Sequence, residues 1–260
     1  MIDPSAVATS RVGWTGARRI IRSLFPPIAL FEDIAEPEDW PLLIAAEQKT
    51  NPRLMETLGA LDLVPPARRV AGPGASFLMA PFTHASRDRP TRFSDGSYGV
   101  LYAARRFETA LLETMHHHAR FMARTREAPG WTSQFRELSL DIEARLHDLR
   151  AGDPAVAPAV APAVAPAVAP AVAPAVVPAL DPDSHEASQA LGMALRAAGS
   201  DGVVYPSARD PSGECVGLFY PDLARNPRQG RHLDYHWDGS RVDLYRDPGS
   251  GEVFRVEWSG

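Results

Sequence analysis

The side chains best suited to chemistry cluster between Arg92 and His118. Glu113 lies seven, three and four residues from Arg106, Ala110 and His117, so a helix would carry all four on one face. A carboxylate held there can move a proton or stabilise a developing cation. Periodicity alone favours a plainer alternative, an exposed glutamate paired with an arginine nearby on the same face. Arg92 stands near a strand entrance and Tyr102 near a strand end; by spacing they read as a surface cation and a core aromatic. Three consecutive histidines, His116 to His118, invite a metal reading. Successive helical residues point about 100° apart, however, so these rings diverge where zinc needs ligands converging at about 2.0–2.1 Å. With no Cys-x-x-Cys or His-Glu-x-x-His nearby, no metal site is expected. Cys215, inside an apolar run, reads as a small buried hydrophobe rather than a nucleophile. Gly96 to Gly99 fits neither a Walker motif nor G-x-G-x-x-G.

The elements that must position these residues follow from the hydrophobic pattern. The turn Ser94–Ser97 leads into a strand over Tyr98–Ala103, then a helix from about Arg106 to Phe121 with Phe107, Leu111, Met115 and His118 along its buried stripe. Phe135–Ile142 alternates as a strand, and Ser184–Ala198 reads as a helix capped by Asp183 or Ser184 and ended by Gly199. Short strands follow at Gly202–Tyr205 and Cys215–Tyr220, then a pair at His232–Trp237 and Arg241–Tyr245, and a last strand at Val253–Trp258. Upstream, Phe25-Pro26-Pro27-Ile28 is an extended lead-in, Glu38–Thr50 predicts a helix, and Ser76–Ala80 predicts a short strand after the breakers Pro65-Pro66 and Gly72-Pro73-Gly74. Between the two halves run PAVA repeats from Pro154 to Pro178, with proline at every fourth position. Such density forbids a regular helix or central strand and predicts a projecting, polyproline-like or disordered loop. Slippage in a tolerant loop explains it more simply than a docking strap, and no chemistry is expected there.

The chain has 260 residues, 45% hydrophobic and 23% charged, which suits one sizeable domain with appendages. All but one of its 27 basic residues are arginine, yet the net charge is -5. That balance leaves no basic footprint for direct nucleic-acid binding. A single cysteine excludes an internal disulfide framework and fits a reducing compartment. The start lacks a secretory pattern and no uninterrupted apolar run of spanning length occurs, so a cytoplasmic protein without membrane contact is expected.

Three strings in order resemble the RES domain: Arg92-Phe93-Ser94-Asp95-Gly96-Ser97-Tyr98-Gly99-Val100-Leu101-Tyr102-Ala103, Glu108-Thr109-Ala110-Leu111-Leu112-Glu113, and Gly202-Val203-Val204-Tyr205-Pro206-Ser207. The family is named for an arginine, a glutamate and a serine, which would be Arg92, Glu113 and Ser207. Phe-Pro-Pro-Ile and Gln229-Gly230-Arg231-His232-Leu233 are similar to a longer subgroup, so the likeness spans about Arg19 to Tyr245. The sequence departs from the family in having Leu24 where the subgroup has arginine, Phe93 where many members have tryptophan, and the PAVA insertion. The resemblance implies an α+β fold with a mixed or split β-sheet and flanking helices, like that of ADP-ribosyltransferases. Its domain layout would be an N-terminal extension over 1–75, a catalytic domain over 76–246 with the 154–178 insertion, and a tail over 247–260. It further implies a bacterial toxin of a type II toxin–antitoxin pair, consuming NAD by hydrolysis or phosphorolysis. The implied partner is a Xre-type antitoxin with a helix-turn-helix, giving a hetero-oligomer. Glu113, Arg92 and Ser207 are the implied catalytic set; Arg19 (with Arg22 the competitor), Arg92, Tyr102 and Ser207 would hold NAD. Two alternatives stand beside this reading: transfer of ADP-ribose to a protein acceptor, and a non-catalytic interaction protein with a degenerate site.

Overall fold

The architecture is described from a computed structural model, covering residues 7–24, 40, 59–150 and 177–256. Its frame is the long antiparallel ladder between β1 (Thr9–Arg22) and β3 (Thr132–Asp148), which pairs Thr9 with His147 at one end and Arg22 with Phe135 at the other. The register shifts between Trp14 and Ala17, where Gly16 takes φ +70° and donates its N–H to Asp141 Oδ1 at 2.8 Å. A bulge adds one residue to one strand and so resets which side chains face the core.

Around this pair, β2 (Leu101–Ala104), β4 (Gly202–Pro206), β5 (Glu214–Leu218), β6 (Ala224–Trp237), β7 (Val242–Arg246) and β8 (Val253–Arg255) complete an eight-stranded mixed sheet of order β1-β2-β5-β4-β3-β6-β7-β8. Only the β3–β4 pairing is parallel among those described. Because β1 also pairs with both β2 and β3, the strands β1, β2, β5, β4 and β3 close a ring. Flanking the sheet are the α-helices α1 (Ala75–Thr83), α2 (Phe107–Met122) and α3 (Glu186–Ala197). The fold class is therefore α+β with a mixed sheet and flanking helices, as expected.

Two apolar clusters form the core. One gathers α1 residues Leu78, Met79 and Phe82 against Trp14, Leu140 and Ile142 of the long ladder. The other gathers α2 and α3 through Ala110, Leu111, Met115, Leu191 and Leu195 against Phe135, Val203 and Leu233. α1 corrects the expectation of a strand at Ser76–Ala80. Leu78, Met79 and Phe82 are buried at helical rather than alternating spacing, with Pro81 inside the helix. It packs so closely on the segment leading to β2 that a Cβ on Gly99 would stand 2.2 Å from the Pro81 carbonyl oxygen. The α2 helix matches expectation: Leu111, Met115 and His118 are buried and Phe107 is half-buried. The α3 helix starts at Glu186 after His185, whose side chain makes no cap; the Glu186 N–H donates instead to Ser184 Oγ at 3.5 Å, and Gly199 at φ +80° follows the helix end. The last strand is shorter than expected, ending at Arg255. Apart from the buried, helical Trp40, the helix expected over Glu38–Thr50 lies outside the described residues, as does the PAVA tract up to 176.

Candidate active site

A cavity of about 330 Å³ opens beside β1, β2 and α2. Its wall includes Arg18 and Arg19 from β1, Arg92 from the loop before β2, Tyr102 from β2, and Glu113 and His117 from α2. Four of the five residues singled out from sequence, Arg19, Arg92, Tyr102 and Glu113, therefore share one pocket; Ser207 stands behind it.

Glu113 is brought there by the α2 stripe: Leu111 and Met115 point into the core, leaving Glu113 on the adjacent face with its side chain 22% exposed. Arg106, the arginine nearby on that face, pairs with Asp210 Oδ2 at 2.7 Å instead. Glu113 is thus not the surface ion pair that periodicity favoured. Its Oε1 accepts a hydrogen bond from Ser207 Oγ at 2.5 Å, and its Oε2 lies 3.9 Å from His117 Nε2.

Ser207 follows β4 and is buried. Its Oγ accepts from the backbone N–H groups of Arg209 and Asp210, each at 3.1 Å. A hydroxyl has two lone pairs and one proton; with both lone pairs engaged, the proton is directed at Glu113. The loop holding this arrangement is bolted to the first turns of α2, since Asp210 Oδ2 also accepts from Thr109 Oγ1 at 2.5 Å. The adjoining Gly213 leaves room for that bolt, because a Cβ there would meet Thr109 Cγ2 at 2.6 Å and Asp210 Oδ2 at 2.7 Å.

On the opposite wall, Arg19 donates from Nη1 to the Tyr102 carbonyl at 2.8 Å. Burial lowers its pKa to about 10, with the Tyr102 hydroxyl acting in the other direction, so it stays cationic at neutral pH. Arg22, the competing position, turns away and sets its guanidinium 5.6 Å from the Phe135 ring. The Tyr102 hydroxyl donates to Thr91 Oγ1 at 2.9 Å and accepts from the Phe93 N–H at 3.0 Å. Burial pushes its pKa up to about 12, so it remains a neutral phenol pinning the segment that carries Arg92. Arg92 gives Nη1 to the Asp181 carbonyl at 3.1 Å, which leaves further guanidinium donors for a ligand.

The three histidines separate as helical geometry requires. His117 is exposed and lines the pocket, while His118 is buried with its ring 5.0 Å from Phe135. Burial holds His116 and His185 below the usual histidine range, at about 4, and nearby arginines add to this. Cys215 also lines the pocket, with its thiol pKa pushed well up by burial. Among the described residues no group of three His, Cys, Asp or Glu could hold a metal ion. Sequence reasoning missed Arg18, His185 and Tyr205 in the wall, and Thr109 and Asp210 behind it. The four-residue spacing of Thr109 and Glu113 was the one available signal, since it places both on one helical face.

Apart from Arg18 and Arg19 of β1, the site sits within the match to the RES domain model, which covers residues 66–238, and the chain belongs to the RES domain family. It is 28% identical over 245 residues to the protein y4oC of Sinorhizobium fredii, a match covering 93% of this chain and 92% of that protein. Among solved structures, the M. tuberculosis MbcT–MbcA toxin–antitoxin complex contains a chain matching at a TM-score of 0.42 and 14% identity, with 90% of each chain covered. No described helix is long and apolar enough to cross a membrane.

Proposed function

We propose that the protein cleaves the nicotinamide–ribose bond of NAD and acts as the toxin of a toxin–antitoxin pair, silenced by a Xre-type antitoxin. The observation that carries this reading is one carboxylate, Glu113, oriented by a hydroxyl donor and facing the pocket arginines Arg18, Arg19 and Arg92. That is the charge pattern the reaction needs. As the bond from ribose C1′ to the nicotinamide nitrogen breaks, its electron pair leaves with nicotinamide, and positive charge grows on the ribose. Glu113 stabilises that charge and orients the incoming oxygen, whose proton passes to the carboxylate or to solvent. The arginines hold the pyrophosphate, for which guanidinium geometry is well matched. Tyr102 offers a ring to the nicotinamide riboside half. No metal is required, because nicotinamide departs as a neutral molecule. The catalytic unit runs from 76 to 246, with β1 supplied from the extension over 1–75.

The test is nicotinamide release from NAD by the purified protein, with and without phosphate. Release by the wild type and a loss of about 10³-fold in Glu113→Ala are expected. Phosphate dependence separates phosphorolysis from hydrolysis. Release only with a protein acceptor present would redirect the reading to ADP-ribosyl transfer. Silence under all these conditions would overturn catalysis.

A further inference from the structure

Glu137 is a carboxylate in the middle of β3, yet its side chain is only 3% exposed. It stands opposite Ile20 of β1, while the register shift between Arg136 and Leu138 leaves it without a partner on β6. Both its oxygens are engaged by arginine: Oε1 by Arg18 Nη1 at 2.8 Å and Oε2 by Arg231 Nε at 2.9 Å. Gly230 makes the approach possible, since a Cβ there would come within 2.9 Å of Glu137 Oε2. Arg231 in turn lies 4.1 Å over the ring of Phe107, at the start of α2.

Buried ion pairs are poor devices for stability alone, because well-packed apolar residues usually serve as well or better. This pair has a second property: Arg18 lines the pocket beside Arg19. With its side chain 37% exposed, Arg18 has open rotamers towards solvent, and the buried carboxylate is what holds it at the wall. One of its five donors is committed to Glu137, which leaves others for an anionic ligand. The structure assigns Glu137 as a positioning residue that fixes Arg18 in the pocket wall as a cation for the phosphate groups of the bound dinucleotide. The assignment rests on the pocket being the dinucleotide site.

Calorimetric titration of the full chain with ADP-ribose tests it. Removing the charge in Glu137→Gln frees Arg18 and is expected to weaken binding about tenfold, as is Arg18→Met. The double variant is expected to bind no worse than Arg18→Met, because the two residues act as one unit. Arg231→Met breaks the other half of the ion-pair network without touching the pocket wall, so it lowers the melting temperature and leaves ADP-ribose affinity unchanged. Should Glu137→Gln not fold, Glu137→Asp keeps the charge but draws it back from Arg18, and a weakened affinity is again expected. Wild-type affinity in the folded Glu137 variants, losses that simply multiply in the double variant, or no ADP-ribose binding by the wild type would each overturn the assignment. The catalytic reading fails separately: the wild type would then bind ADP-ribose in this Glu137-dependent way yet release no nicotinamide.

Discussion

Ser207 has one proton and sends it to Glu113, because the N–H groups of Arg209 and Asp210 occupy its acceptor sites. The sequence suggested a serine that meets the substrate; the geometry gives it a carboxylate to orient. Ser207→Ala is therefore expected to lower kcat for nicotinamide release by about ten- to hundredfold with little change in KM. A carboxylate free to rotate loses transition-state stabilisation rather than ground-state affinity. The two backbone donors left behind should cost about 1–2 kcal/mol of stability. Steady-state kinetics beside thermal denaturation separates the two effects, and a rise in KM with unchanged kcat would return Ser207 to the substrate.

At the scale of elements, α2 is docked on β3 and β6 partly through His118, whose ring lies 5.0 Å from Phe135 and 6.3 Å from Tyr235. Its Nε2 is buried without a partner. Burial, with Arg22 adding to it, lowers the pKa from an ordinary 6.5 to about 4. Between these values the unfolded chain binds the extra proton and the folded one does not. Stability therefore falls as pH drops from about 6.5 towards 4 and is fully present above that window. The expected loss at this residue is on the order of 2 kcal/mol. His118→Phe should flatten the denaturant midpoint between pH 7 and 5 relative to wild type; an unchanged slope would show that the imidazole is hydrated. The same helix was legible in the sequence because Leu111, Met115 and His118 repeat at its period with no breaker between. The strand β1 was not: arginines at 11, 18, 19 and 22 mask its apolar face, and the bulge after Trp14 breaks the alternation. The helix α1 misled because Gly74 at its N-cap, in the left-handed region, and Pro81 inside it are signals of loops. The buttress of Thr109 and Asp210 joins residues about a hundred positions apart, which no local pattern can pair.

For the whole molecule, the question is whether an insertion between the glutamate and the serine disturbs the site they form. Both flanks are tied down independently of it. On one side Leu149 is fully buried and its N–H bonds the Val204 carbonyl at 2.8 Å, while Arg150 pairs with Asp148 and Glu214, each at 2.6 Å. On the other, Ala179 lies in the core with no exposure, and Arg92 and Arg209 hold the carbonyls of Asp181 and Pro182 before α3 begins. That second flank borders the pocket through His185. Neither anchor uses a PAVA repeat, so the repeats can be shortened while the anchors stay. Read as a projecting proline-rich loop, the tract predicts a small effect, since halving a flexible connection changes its closure by only about 0.6 kcal/mol. Deleting 154–165 is expected to keep nicotinamide release within about twofold of wild type and the melting temperature within a few degrees. Extending the deletion through Ala179 would remove a core residue and destabilise the fold by about 1 kcal/mol or more. A folded 154–165 deletion that lost activity would mean that the repeats reach the pocket, and the docking role set aside on sequence grounds would have to be restored.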